Sequence, residues 1–181
     1  LTQILLAIDP GFANMAIVSL EWQPKVRRCW QHWKIKTTPE TPDAERWQLI
    51  LFKLDEIIGG NTDVDFVACE DVTGVRHGKD SRGQSGSQSD PLLQVVGAIR
   101  MACFTHGLPL KLVRSTSVYA ALGCRVSARS GETEEQKKKR QKLATQTAVQ
   151  RLISGAESLS IDETDACAIG IACALGKGVI V

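Results

Sequence analysis

Gln3 to Asp9 is a near-continuous apolar run, Ile4-Leu5-Leu6-Ala7-Ile8, without alternation of polar and apolar positions. A strand that faces water on one side alternates; a strand covered on both faces does not. The segment therefore reads as a central strand, and the rest of the chain has to supply its cover. Pro10-Gly11 makes a turn, and Met15 to Glu21 returns as a second strand. Val26 to Lys36 is a third, in which Cys29, Trp33 and Ile35 alternate with Arg28, Trp30, His32 and Lys34. Three strands with short turns make an antiparallel meander.

From Pro42 the period becomes helical: Ala44, Trp47, Ile50, Leu51, Leu54, Ile57 and Ile58, ended by Gly59-Gly60. Val64 to Cys69 is a strand following a helix, which places it parallel to the first strand. Thr73 to Asp90 is a long glycine- and serine-rich stretch that also carries Arg76, His77, Lys79 and Arg82. Pro91 starts a helix to about His106, Lys111 to Arg114 is a short strand, and Thr116 to Leu122 a short helix. Glu134 to Ile153 reads as a long charged helix and Asp162 to Leu175 as an apolar one. The 181 residues suffice for one α/β domain, 1–181, with no domain-scale linker.

Four carboxylates punctuate these elements. Asp9 closes the first apolar run, Glu70 closes Val64–Cys69, and Asp162 and Asp165 open the last helix, three apart and so on one side of it. Singly, each has a bland explanation, Asp9 as a turn former and Asp162 as a helix-start acid. As a set they stand where open α/β sheets collect functional residues, and oxygen-only ligands suit Mg²⁺ or Mn²⁺. Ser160 and Glu163 fit a capping box, which gives Glu163 a structural task and removes it from the ligands. Four carboxylates can hold two Mg²⁺ ions about 4 Å apart, one lowering the pKa of an attacking water and one stabilising a leaving oxygen.

The motifs also carry a resemblance. Ile8-Asp9-Pro10-Gly11, Cys69-Glu70-Asp71-Val72 and Asp162-Glu163-Thr164-Asp165-Ala166-Cys167-Ala168 are similar to the three motifs of the RuvC-type Holliday junction resolvases. That family is part of the RNase H-like (retroviral integrase) superfamily. The resemblance implies an RNase H-like fold, a five-stranded mixed sheet made of a three-strand antiparallel meander plus two parallel strands, flanked by helices. It also implies Asp9, Glu70, Asp162 and Asp165 as catalytic and metal-binding residues. Their cofactor would be Mg²⁺, with Mn²⁺ substituting. The activity implied is that of a crossover junction endonuclease, which resolves four-way DNA junctions by paired symmetric nicks. It acts as a homodimer and leaves 5′-phosphate and 3′-hydroxyl ends. Family members often carry an aromatic wedge three residues past the glutamate, where this chain has Thr73. Gly11 to Ala16 is similar to the mitochondrial and poxviral branches, so the subfamily stays open.

Charge distribution fits a polyanionic partner. The net charge is only +2, but Arg125, Arg129, Lys137, Lys138, Lys139, Arg140 and Lys142 cluster in one region. Lys137 or Lys138 loosely matches the lysines of the resembled family in this region, both are DNA-binding candidates, and Arg76, Lys79 and Arg82 are candidates for reaching branched DNA. The bland alternatives are a solvated helix face and a solvated loop. Trp22, Trp30, Trp33 and Trp47 read as core or sheet-face residues, and His32 and His106 as structural. The helix Pro91–His106 is the candidate dimer surface.

Six cysteines without CxxC or zinc spacing read as thiols in a reducing compartment, with Cys69, Cys103, Cys167 and Cys173 buried. No secretory signal or membrane span is legible, which points to a cytoplasmic, nucleoid-associated protein, with viral or organellar origin also open. The chain opens at Leu1 rather than methionine, which leaves room for a trimmed leader. Three other readings stay open. One is a nuclease of the same superfamily acting on flaps, R-loops or RNA–DNA hybrids. Another is a non-cleaving junction binder. The third, an actin-like ATP-binding fold, would need a second lobe that a chain of this length lacks.

Overall fold

The computed structural model describes residues 2–72 and 90–180. Three strands come first, β1 (Gln3–Asp9), β2 (Asn14–Trp22) and β3 (Arg27–Lys36), followed by helix α1 (Asp43–Gly60). Strand β4 (Phe66–Asp71), α2 (Asp90–Thr105), β5 (Leu110–Arg114) and α3 (Ser115–Ala121) follow. The chain then forms α4 (Glu134–Leu152), α5 (Ile161–Ala174) and a two-residue strand β6 (Val179–Ile180).

The sheet runs in the order β3-β2-β1-β4-β5-β6. β1, β2 and β3 form the expected antiparallel meander, and β1, β4 and β5 lie parallel to one another. The five-stranded mixed sheet read from the sequence is therefore present. β6 extends it, pairing antiparallel with the outer edge of β5; two residues are too short for a periodicity to announce.

Every residue from Leu5 to Ile8 is fully buried, as its unbroken apolarity requires. Leu5 and Ala7 pack into a cluster with Ala166, Ile169 and Cys173 of α5, while Leu6 and Ile8 pack on the other face against Ile50, Leu54, Val95 and Ile99 of α1 and α2. Burying a Leu or Ile side chain stabilises the fold by about 1.5–3 kcal/mol. α5 can lie directly on the sheet because its contact residues are small. A Cβ on Gly170 would come within 2.5 Å of a Leu20 methyl and 2.8 Å of Ala7 Cβ.

The start of α5 is fixed by the expected capping box, in which Glu163 accepts the Ser160 backbone N–H at 2.8 Å. Its other oxygen lies 2.6 Å from His32 Nδ1 on β3, so one buried carboxylate ties the helix start to the sheet edge. Burial pushes the Glu163 carboxyl up, but the hydrogen bonds from Ser160 and His32 outweigh it and leave it below the ordinary glutamate range. α4 begins with a second capping box, Thr133 with Gln136. Arg140 then pins the loop ahead of α4: it donates to both oxygens of Glu132, at 2.9 and 2.7 Å, and to the Ser127 carbonyl at 2.6 Å. One member of the basic run is thereby committed to structure.

One strand pattern departs from its sequence reading. The register slips between Ser19 and Leu20, which face Gln31 and Cys29 respectively, leaving Trp30 as the extra residue of a bulge. Cys29 consequently packs with the α5-side cluster and Trp33 with the opposite one, although simple alternation places them together. Trp30 is 55% exposed, with the Arg28 guanidinium 3.3 Å over its ring, and so is not a core residue; Trp22 is buried. Cys69, Cys103, Cys167 and Cys173 are buried free thiols as expected. Among the described residues no helix is long and apolar enough to cross a membrane.

Candidate active site

Register alone places the first two acids. Ile8 of β1 is paired with Cys69 of β4, so Asp9 and Glu70 are the next residues on adjacent parallel strands, at their C-terminal ends. Asp9 continues the Leu5–Ala7 face and Glu70 the Phe66–Ala68 face, both of which pack on the α5 side. Asp165 lies on the first turns of α5. The three carboxylates line one cleft of about 80 Å³ with Ser115, Val118, Tyr119, Ala168 and Ile169.

Asp162 stands outside this lining at the rim of the cleft, its side chain 44% exposed and 3.9 Å from Lys34 Nζ on β3. Lys142 of α4 approaches from the other side, with Nζ 3.5 Å from Asp165 Oδ2. The hydroxyl of Ser115, which opens α3, donates to Glu70 Oε1.

Crowded like charges in a poorly hydrated cleft oppose ionisation. Burial, then Glu70, Asp165 and Asp162 in turn, push the Asp9 carboxyl up to about 8, with Lys142 pulling the other way. Asp165 is raised by burial, a shift that Lys142 partly offsets. Burial and the charges of Asp165 and Glu70 likewise raise the Tyr119 hydroxyl.

The donor set is suited to a hard divalent cation: all carboxylate, with more negative charge than the nearby lysines balance. It does not form a finished cage. Among the described residues no three carboxylate, imidazole or thiol ligands surround one point closely enough to hold a metal ion. Two of the four acids are instead engaged by ammonium groups.

A second groove of about 650 Å³ adjoins the cleft and shares Tyr119 with it. Arg125, Lys137 and Lys138 line it together with Thr116, Ser127 and Gln141. Gln141 shapes its floor, accepting from the Val126 backbone N–H at 2.9 Å and donating to the Cys124 carbonyl at 3.0 Å.

No protein-family model matches the chain, and no curated protein is similar to it in sequence. Solved structures do match. RuvC from Thermus thermophilus in complex with a Holliday junction substrate superposes with a TM-score of 0.71 at 20% identity, over 98% of this chain and 99% of that one. The chain has the RuvC fold. A second Thermus thermophilus RuvC structure gives 0.69 at 19% identity, over 98% and 100% of the two chains. The fowlpox virus Holliday junction resolvase gives 0.57 at 9% identity, over 96% of this chain and 99% of that one. The RNase H-like sheet read from the sequence is thus the observed one.

Of the residues singled out by sequence, Asp9, Glu70 and Asp165 are brought together and Asp162 is held at the rim. Lys137 and Lys138 line the adjoining groove, and Lys137 pairs with Glu134 on its own helix at 3.6 Å. Lys142, rather than either of them, is the α4 lysine paired with one of the four singled-out acids. Thr73, Arg76, His77, Lys79 and Arg82 lie outside the described residues. Sequence reasoning missed Lys34, Ser115 and Tyr119. A lysine in an alternating strand, a serine opening a short helix and a lone tyrosine carry no spacing signal; only packing makes them neighbours of the acids.

Proposed function

We propose that this chain is a divalent-metal-dependent endonuclease that resolves four-way DNA junctions by paired nicks. The observation that carries the reading is the cleft of Asp9, Glu70 and Asp165 at the C-terminal ends of two parallel strands, within a fold shared along nearly the whole chain with two junction resolvases. When bound, Mg²⁺ or Mn²⁺ supplies Lewis-acid stabilisation of phosphoryl oxygens and a lowered pKa for the attacking water.

The chain's own residues do the rest. Asp9, Glu70 and Asp165 would hold the cations, with Asp162 adding a ligand from the rim. Ser115 orients the Glu70 carboxylate. Arg125, Lys137 and Lys138 offer phosphate contacts to the strand beyond the cleft, where Tyr119 marks the passage. Arg76, Lys79 and Arg82, outside the described residues, are proposed as further DNA contacts on their charge alone.

Two symmetric nicks require two clefts related by a two-fold axis. On α2, Leu93, Gly97, Met101 and Phe104 share one side at helical spacing. Met101 and Phe104 are 61% and 81% exposed, and Gly97 has open space before it. Phe52 of the neighbouring α1 is 64% exposed. Exposed aromatic and Met side chains on one helix face support this surface as the homodimer contact.

Incubation with Mg²⁺ and a mobile four-way junction, a flap, a linear duplex or an RNA–DNA hybrid tests the proposal. Paired, ligatable nicks on the junction alone are expected. Cleavage confined to the flap or hybrid would keep the cleft as a nuclease centre but overturn the substrate.

A further inference from the structure

Asp162 and Asp165 face two ammonium groups delivered from opposite flanks, Lys34 from the edge strand β3 and Lys142 from α4. Neither lysine is a neighbour of its acid in sequence, and neither contact is the (i, i+3) or (i, i+4) pairing that helical lysines make by default. Lys53 with Glu56 and Lys137 with Glu134 are of that default kind. The contacts of Lys34 and Lys142 therefore depend on how β3, α4 and α5 pack. They also coincide with the lack of a finished ligand cage among the described residues.

We infer that Lys34 and Lys142 are built-in counter-ions that occupy the acids in the cation-free protein and are displaced when divalent cations bind. The inference rests on the nuclease reading of the cleft. An ammonium 3.5–3.9 Å from a carboxylate oxygen neutralises one charge without desolvating it fully. A divalent cation brings twice the charge and can bind several of the acids at once, so it competes with both lysines. Displacement leaves two flexible ammonium groups at the cleft mouth, on either side of an incoming phosphodiester. Metal loading and phosphate binding are thereby coupled through the same two side chains. This is a coupling between two ligands, with the lysines as the element that both bias.

The sign is the informative part. A lysine that merely helps to bind substrate has little influence on cation affinity in the absence of DNA, and one that buttresses the cleft lowers that affinity when removed. A counter-ion that must be displaced raises it. Calorimetric titration of the DNA-free protein with Mn²⁺ distinguishes these cases. Lys34→Met and Lys142→Met are each expected to bind Mn²⁺ about 3- to 30-fold tighter than the parent, for one unit charge removed at a few ångströms in a partly solvated site. The double variant should gain close to the product. Lys25→Met, in the β2–β3 turn at the opposite end of the sheet, controls for net charge and should leave the affinity unchanged.

Thermal melts confirm folding of each variant, and Lys34→Gln and Lys142→Gln serve as less apolar replacements. Unchanged or weaker Mn²⁺ binding in folded Lys34 and Lys142 variants, with Asp9→Asn abolishing binding, overturns the counter-ion role and leaves the metal cleft intact. Absence of Mn²⁺ binding in the parent and in every lysine variant, or binding that Asp9→Asn does not affect, overturns the metal reading and this inference with it.

Discussion

Ser115, the first residue of α3, donates its hydroxyl hydrogen to Oε1 of Glu70 across the β4–β5 boundary. Glu70 and Val113 are register partners, so the turn from β5 into α3 delivers Ser115 directly above the acid. A hydrogen bond to a charged group contributes about 1.5–3 kcal/mol. Ser115→Ala should therefore lower junction cleavage about 10- to 100-fold through kcat, with junction affinity in the absence of metal unchanged. Ser115→Thr, which keeps the hydroxyl, should recover most of the rate. Equal kcat for Ser115→Ala and the parent would remove Ser115 from the site.

Asp9 should show opposite effects on activity and stability. Asp9→Asn is expected to abolish cleavage, measured as nicks on a labelled junction, while retaining junction binding in a gel-shift assay. In EDTA at pH 8 the same variant should melt higher than the parent, because it no longer places a charge in a cleft that disfavours one. A lower melting temperature would mean that the Asp9 carboxylate is already compensated in the cation-free protein.

The raised Asp9 pKa also sets a pH dependence. The folded carboxyl titrates near 8, whereas the unfolded one titrates near 3.8. Between those values the folded state binds the extra proton, so stability is fully present below about pH 4 and is lost as pH rises toward 8. Melting temperatures in EDTA should show this fall from Asp9 by comparison with Asp9→Asn, in which it is absent. Mg²⁺ or Mn²⁺ should reverse the trend, since cation and proton compete for the same oxygens.

Lys137 and Lys138 should contribute to affinity rather than to chemistry. If each contacts one phosphate, replacing both with Met reduces the slope of log affinity against log salt by about 1.8 for duplex arms. Cleavage at saturating enzyme should stay near the parent rate. An unchanged slope would return this stretch of α4 to a solvated face.

Met101→Glu with Phe104→Glu should give a monomer by sedimentation and, on junctions, single nicks in place of paired ones. A dimer that survives both charges lies elsewhere. The individual clefts should be intact, because neither residue is near the acids.

What was legible in the sequence is what local chemistry dictates. Unbroken apolarity from Ile4 to Ile8 gave the central strand, and the Ser160–Glu163 spacing gave both the start of α5 and the structural task of Glu163 in its capping box. Acids at element ends located the cleft. The bulge at Trp30 was not legible, because one extra residue leaves composition unchanged while moving Cys29 to the opposite face. Nor was the pairing of Asp162 with Lys34, which depends on β3 running beside the start of α5.

Gly170 lies on the same helix as Asp165, and the absence of its side chain lets α5 touch Ala7 and Leu20, two residues before Asp9 on β1 and on the strand beside it. The layer spacing between helix and sheet is therefore fixed by a hydrogen atom, and the span between Asp165 and Asp9 is fixed along with it. Any bulk added at Gly170 would lift the helix like a shim under a hinge and widen the gap between the acids; under the metal-binding role proposed for the cleft, that would change the ionic radius it prefers without touching any of the proposed ligands.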